Sequence, residues 1–185
     1  MINELLEKNR SYRRFSEKRV SDELLRACIN GARLSASAAN RQRIRFVVVN
    51  DKETCDKIFK TLRFAAFLTE WSGPSDNERP TAYIIAMTES ELDKIVALDM
   101  GIAAQSILIT AINDGVGGCI FKSYDKEVLS SILNREGYIP ELVIALGYPS
   151  EQVVVVEPKD GDLKYYRDEN DVHCVPKLSV DELII

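Results

Sequence analysis

Apolar positions recur along this chain with helical and strand-like spacings, and the longest apolar run lies near its middle. From Leu92 to Gly115, the residues Ile95, Val96, Leu98, Met100, Ile102, Ile107, Leu108, Ile109 and Ile112 cannot share one narrow stripe, so the pattern predicts a central helix covered on most of its surface. Asp93, Lys94, Asp99, Gln105 and Asn113 interrupt the run, which argues against a membrane span of roughly 20 predominantly apolar residues. Gly101, Ala103, Ala104 and Ser106 form a small-residue patch that admits a close helix, either a core neighbour, which composition favours, or a second subunit. Gly115 suits a left-handed C-cap.

The remaining elements follow the same periodicities. A short amphipathic helix covers Ile2–Lys8. Ser21-Asp22-Glu23 opens a second, whose apolar face is Leu24, Leu25, Cys28, Ile29 and Ala32 and which ends near Leu34. The strand Arg45–Val49 precedes a helix capped by Asp51 and carrying Cys55, Ile58, Phe59 and Leu62. Phe64, Phe67 and Trp71, ahead of Gly73-Pro74, read as a mobile cover or as core. Strands are predicted at Ala82–Met87, Val116–Phe121 and Glu141–Leu146, with a helix at Lys126–Leu133 and a further apolar run at Val153–Val156. Ser179 and Glu182 match a capping box at a terminal helix. Without an internal repeat or dividing linker, the pattern is one mixed α/β or α+β domain over residues 1–185.

Composition narrows the function. A length of 185 residues with 45% hydrophobic content suits one domain with a sizeable core. The net charge of -5 argues against a general nucleic-acid or anionic-membrane binder, so any anion site must be local. The N-terminal stretch lacks the basic and apolar regions of a signal peptide, and the expected location is cytoplasmic. Cys28, Cys55, Cys119 and Cys174 form no CxxC pair and the chain has one histidine, His173; these features argue against a zinc site or disulfide framework and for reduced thiols. His173 itself reads more readily as a tail residue than as a catalytic base.

Two stretches carry candidate chemistry. In Arg10-Ser11-Tyr12-Arg13-Arg14-Phe15, guanidinium groups and a hydroxyl lie close together, a donor set suited to phosphate, although a solvated basic loop has the same composition. Ser35-Ala36-Ser37-Ala38-Ala39-Asn40-Arg41-Gln42 is small and polar; its amides can both donate to and accept from a heterocycle's edge, or it is a polar connection. Val116-Gly117-Gly118 opens a strand and is neither GxGxxG nor a Walker sequence.

Together, Arg10-Ser11-Tyr12-Arg13, the Ala36–Gln42 loop and the Gly117-Gly118 turn after a long apolar helix resemble the FMN-dependent nitroreductase family in order and spacing. Leu146-Gly147-Tyr148-Pro149 and Val175-Pro176-Lys177 extend the likeness over essentially the whole chain. The resemblance implies an α+β, three-layer fold with a mixed, mainly antiparallel sheet flanked by helices around the long buried helix. It also implies a homodimer with composite sites, binding FMN and using NADH or NADPH to reduce a small-molecule acceptor such as a nitroaromatic or quinone. On that likeness Arg10, Ser11, Arg13 and Lys177 hold the phosphate, Ser37, Ala38 and Asn40 line the flavin from the other subunit, and Gln42 sits near its rings. Gly117 and Gly118 bring backbone groups to its edge, and the flavin rather than a catalytic side chain carries the redox step. The chain departs from the family pattern at Asn9, at Arg43-Ile44 in place of Pro-Trp, and at Leu178 after Pro-Lys. A flavin-binding storage or sensing protein with little turnover is the alternative.

Overall fold

The structure is a computed structural model that describes every residue except Met1, Ala66, Thr69 and Glu70. Its centre is a four-stranded antiparallel sheet in the order β1-β2-β4-β3, with β1 at Arg45–Val49, β2 at Ala82–Thr88, β3 at Gly117–Phe121 and β4 at Ile139–Gly147. Both inner strands are apolar at almost every position because both faces of the sheet are covered. Ala82 and Ile84 of β2 and Ile144 and Leu146 of β4 pack beneath α2 (Asp22–Leu34) and α4 (Lys94–Asn113). The alternate residues, Tyr83, Ile85, Met87, Val143 and Ala145, face α3 (Lys52–Phe59) and α5 (Lys126–Leu133). The expected three-layer α+β arrangement is therefore present, its alternation following from the strand period of two.

The helix boundaries follow their caps. Ser21, Asp51, Asp93 and Asp125 each accept backbone N–H bonds at the start of α2, α3, α4 and α5. Beyond α4, Gly115 has φ +76°; its N–H reaches Ile112 O at 3.0 Å and the Val116 N–H reaches Ala111 O at 3.0 Å, closing the helix as a Schellman turn. The N-terminal α1 (Ile2–Lys8) lies against α4. A second, three-stranded sheet was not expected: β5 (Val153–Val156) pairs in parallel with β7 (His173–Pro176), which pairs antiparallel with β6 (Tyr166–Arg167). The short α6 (Val180–Leu183) carries the predicted Ser179/Glu182 capping box.

One expectation for the central helix is corrected, its coverage, and the core-neighbour reading of its small-residue patch is met. α4 is not covered on most of its surface: Val96, Met100, Ala103, Ala104, Ile107 and Leu108 are buried, while Ile95, Leu98 and Ile102 are 47%, 65% and 45% exposed. The small-residue patch lies largely inside this chain. Ala103 and Ala104 belong to the core under α2, Ser106 is bonded to Ser35 at 2.6 Å, and a Cβ at Gly31 of α2 would lie 2.5 Å from Thr110 Oγ1. Small residues sit where the two helix backbones come closest; only Gly101 faces open space. By length and composition α4 could also cross a membrane, so its polar interruptions do not decide that point, and packing between α2 and the sheet accounts for its apolar content.

Candidate functional site

The Arg10–Phe15 segment is seated across the ends of β3 and β4. Gly117 pairs with Gly147 there, and Ser11 bridges Gly118 while Phe15 bridges Pro149. A Cβ at Gly117 would lie 2.4 Å from Tyr12 Cδ2, and one at Gly118 would lie 2.6 Å from Leu108 Cδ2 and 2.8 Å from Ala145 O. Side chains are excluded at both positions by protein packing alone. The Tyr12 N–H donates to Gly118 O at 3.0 Å and the Tyr12 hydroxyl to Lys8 O at 2.9 Å. With Tyr12 and Phe15 fixed in this way, Arg13 projects from a rigid stretch.

Arg10, Ser11, Arg13 and Lys177 line one cavity of about 250 Å³, together with Asn9, Tyr165, His173 and Val175. The second sheet delivers its far wall: the Lys177 N–H bonds to Val156 O at 3.0 Å, continuing the β5–β7 ladder. The lining holds three cationic side chains and no carboxylate. Arg13 is 9% exposed, and among the described residues its guanidinium makes no ion pair; it bonds Ser11 O at 3.3 Å, lies 3.2 Å from His173 Nε2 and stacks 4.9 Å over the Tyr165 ring. Arg10 Nε is buried without a partner. Buried cationic groups without a counter-charge are costly, so this cavity suits an anion.

The second predicted stretch forms a different place on the same chain. Ser37, Gln42 and Asp99 help line a cavity of about 240 Å³ beside α2 and α4, and the two cavities share no residue. Within the loop, Ala39, Asn40 and Gln42 have φ of 51°, 52° and 48°, a left-handed conformation unfavourable for residues with a Cβ. Asp99 over-determines it: the carboxylate accepts from Ser37 Oγ at 2.7 Å and from Ala38 N at 3.0 Å, while Ser37 Oγ accepts from Gln42 N at 3.0 Å. The amide of Gln42 donates to Asn40 Oδ1 at 3.0 Å. The structure thus groups Arg10, Ser11, Arg13 and Lys177, groups Ser37, Ala38, Asn40 and Gln42 elsewhere, and leaves Gly117 and Gly118 in the lining of neither cavity.

The nitroreductase family profile matches residues 6–148. This chain belongs to the nitroreductase family. Two relatives described as NADH dehydrogenase/NAD(P)H nitroreductase are similar to it. The Archaeoglobus fulgidus protein is 29% identical over 82% of this chain and 87% of its own length. The Methanothermobacter thermautotrophicus protein is 30% identical over 80% and 77%. An FMN-dependent nitroreductase structure from Clostridium difficile R20291 superposes with a TM-score of 0.68 at 23% identity, covering 90% of this chain and 98% of that one, a likeness of fold.

In this nitroreductase-family chain, the residues that hold the predicted site residues in place are the ones the sequence did not reveal. Glu151 accepts from Arg13 N, from Arg14 N at 2.9 Å and from the Arg167 guanidinium at 2.5 Å. Arg14 and Arg167 lie over the Trp71 ring, at 5.8 and 5.5 Å from its centre. Phe67 contacts Tyr165, and Phe64 packs on Phe59 and Phe121. The aromatic section is therefore tied to the anion cavity through Tyr165 and to the core through Phe64. His173 was read as a tail residue; instead it is 1% exposed and lines the cavity. Burial and the adjacent Arg13 charge push its pKa down to about 4. Asp99, Glu151 and His173 gave no local signal, because each acts on a residue at least 61 positions away.

Proposed function

We propose that FMN is the redox group of this chain, with its phosphate in the Arg10–Arg13–Lys177 cavity, and that two chains form a homodimer in which the Ser37–Gln42 loop of one completes the site of the other. Family membership and the descriptions of both relatives make the chain an NAD(P)H-dependent oxidoreductase. The observation that carries the cofactor reading is the carboxylate-free cavity with its buried, unpaired Arg13. Charge-assisted bonds from guanidinium groups are worth roughly 1.5–3 kcal/mol each. FMN, when bound, supplies the two-electron chemistry between nicotinamide and acceptor. The protein's part is to hold the phosphate and to present a preorganised loop to the ring system. A nitroaromatic, a quinone or a related flat molecule is the proposed acceptor, and NADH or NADPH the donor.

Two features support the homodimer. Arg10, Ser11, Arg13 and Lys177 line one cavity and Ser37 and Gln42 a separate one within the same chain, and α4 leaves Ile95, Leu98 and Ile102 exposed on one apolar face. A two-fold contact would bury the same face from each subunit.

Thermal shift with FMN and riboflavin tests the reading. FMN at about 100 times its dissociation constant should stabilise the protein by about 2.7 kcal/mol, riboflavin less, and Arg13→Ala should narrow the gap. No stabilisation by FMN of a colourless preparation would refute it. Refolding a variant carrying Arg10→Ala and Arg13→Ala together with one carrying Ser37→Ala and Asn40→Ala should restore roughly a quarter of the FMN sites if they are composite; no recovery in confirmed mixed dimers would place each site within one chain.

A further inference from the structure

A neutral imidazole beside a buried guanidinium constrains hydrogens that the protein's fold otherwise leaves undefined. Arg13 Nη1 lies 3.2 Å from His173 Nε2. Arginine has donors only, so the contact is a hydrogen bond only if Nε2 is the accepting nitrogen. The ring proton must then be on Nδ1, since the bond made by one ring nitrogen sets the state of the other. Nδ1 is itself buried without a partner and His173 is 1% exposed, so among the described residues the contact with Arg13 is the hydrogen bond left to this ring.

The other contacts of Arg13 show what that is. Its backbone N–H is taken by Glu151, one Nη1 hydrogen by Ser11 O at 3.3 Å, and its face by the Tyr165 ring. Tyr165 packs in turn on His173, with ring centres 5.3 Å apart. His173 takes the second Nη1 hydrogen, which leaves the Nε and Nη2 donors for an anion. We infer that His173 is a positioning residue: by accepting from Arg13 through Nε2 it fixes that guanidinium at the cavity wall, so that less side-chain freedom is lost when a phosphate monoester binds. This rests on the reading of the cavity as the FMN phosphate site. Arg13 and Arg167 both disfavour a second proton on the ring and Glu151 favours it. The balance keeps the acceptor available near neutral pH.

The test uses the purified 185-residue chain. Because it contains one histidine, long-range ¹H–¹⁵N NMR at pH 7 reads this ring without ambiguity. The expected spectrum shows Nδ1 protonated and Nε2 bare, with the Nε2 signal moving in Arg13→Ala. A proton on Nε2 would overturn the inference, since two donors cannot bond. Flavin titrations supply the second arm. His173→Phe should weaken FMN by about tenfold and leave riboflavin unchanged, whereas His173→Gln, whose amide oxygen can replace the Nε2 acceptor, should stay within about threefold of wild type. In an Arg13→Ala background, His173→Phe should have no further effect. Equal losses for both flavins, or additive losses in the double variant, would reduce His173 to a packing residue. Should His173→Phe not fold, His173→Gln and the NMR spectrum still decide the matter. A wild-type chain that binds neither flavin removes the cofactor reading and this inference with it; wild-type binding with FMN affinity unmoved in His173→Phe removes the inference alone.

Discussion

Lowering the pH from 7.5 to 5 should destabilise this protein through His173 before most carboxylates titrate. In the unfolded chain the ring titrates near 6.5, whereas burial and Arg13 hold it at about 4 in the fold. Between those values the unfolded state binds a proton that the native state refuses, so stability falls as pH falls. The contribution is complete above about pH 6.5 and exhausted near pH 4. At about 1.4 kcal/mol per pKa unit the whole window is worth about 3 kcal/mol, of which about 2 kcal/mol is lost by pH 5. Urea unfolding of wild type and His173→Gln at both pH values, at one protein concentration, isolates the term. Asp51, Asp93, Asp171 and Glu141, whose pKa values are lowered by hydrogen bonds or ion pairs, are common to both proteins and largely cancel. Wild type should lose about 2 kcal/mol more than the variant. Equal losses would show that the ring titrates normally and that its contact with Arg13 is not a hydrogen bond to a neutral imidazole.

Other predictions concern the site's supports. Ala39→Gly should stabilise the fold by about 0.5–1 kcal/mol in urea titration, because Ala39 has φ 51° and glycine removes the Cβ strain. Asp99→Ala should cost about 2–4 kcal/mol, since it leaves Ser37 Oγ and Ala38 N without their acceptor. Gly117→Ala must displace the Tyr12 ring; a loss of roughly 1–3 kcal/mol and weaker FMN binding are expected, and an unchanged melting temperature would contradict the seating described above. Leu98→Glu, at an exposed position on α4, should convert a dimer to monomers in sedimentation while leaving far-ultraviolet circular dichroism intact; a persistent dimer would place the interface elsewhere.

Local periodicity and capping chemistry determined most of the secondary structure from the sequence alone. Ile2–Lys8, Arg45–Val49 and Lys126–Leu133 appear with the expected bounds and the apolar run Val153–Val156 is a strand, because caps and apolar spacing are written within a few residues of where they act. The Arg10–Arg13 cluster was legible for the same reason. Tertiary structure decided what depends on partners distant in the chain. Only packing shows that the small face of α4 receives α2 and that the bulky face of Leu98 and Ile102 is left outside, since a helix apolar on both sides carries no periodic signal of which side is inward. Only the β5–β7 ladder brings Lys177 and His173 to Arg13, and the β6–β7 pairing joins a two-residue strand too short to announce itself. Asp99, Glu151 and His173 look ordinary in sequence because a buried polar residue is identified by its partner, and the contacts to Ala38, Arg14 and Arg13 span 61, 137 and 160 residues.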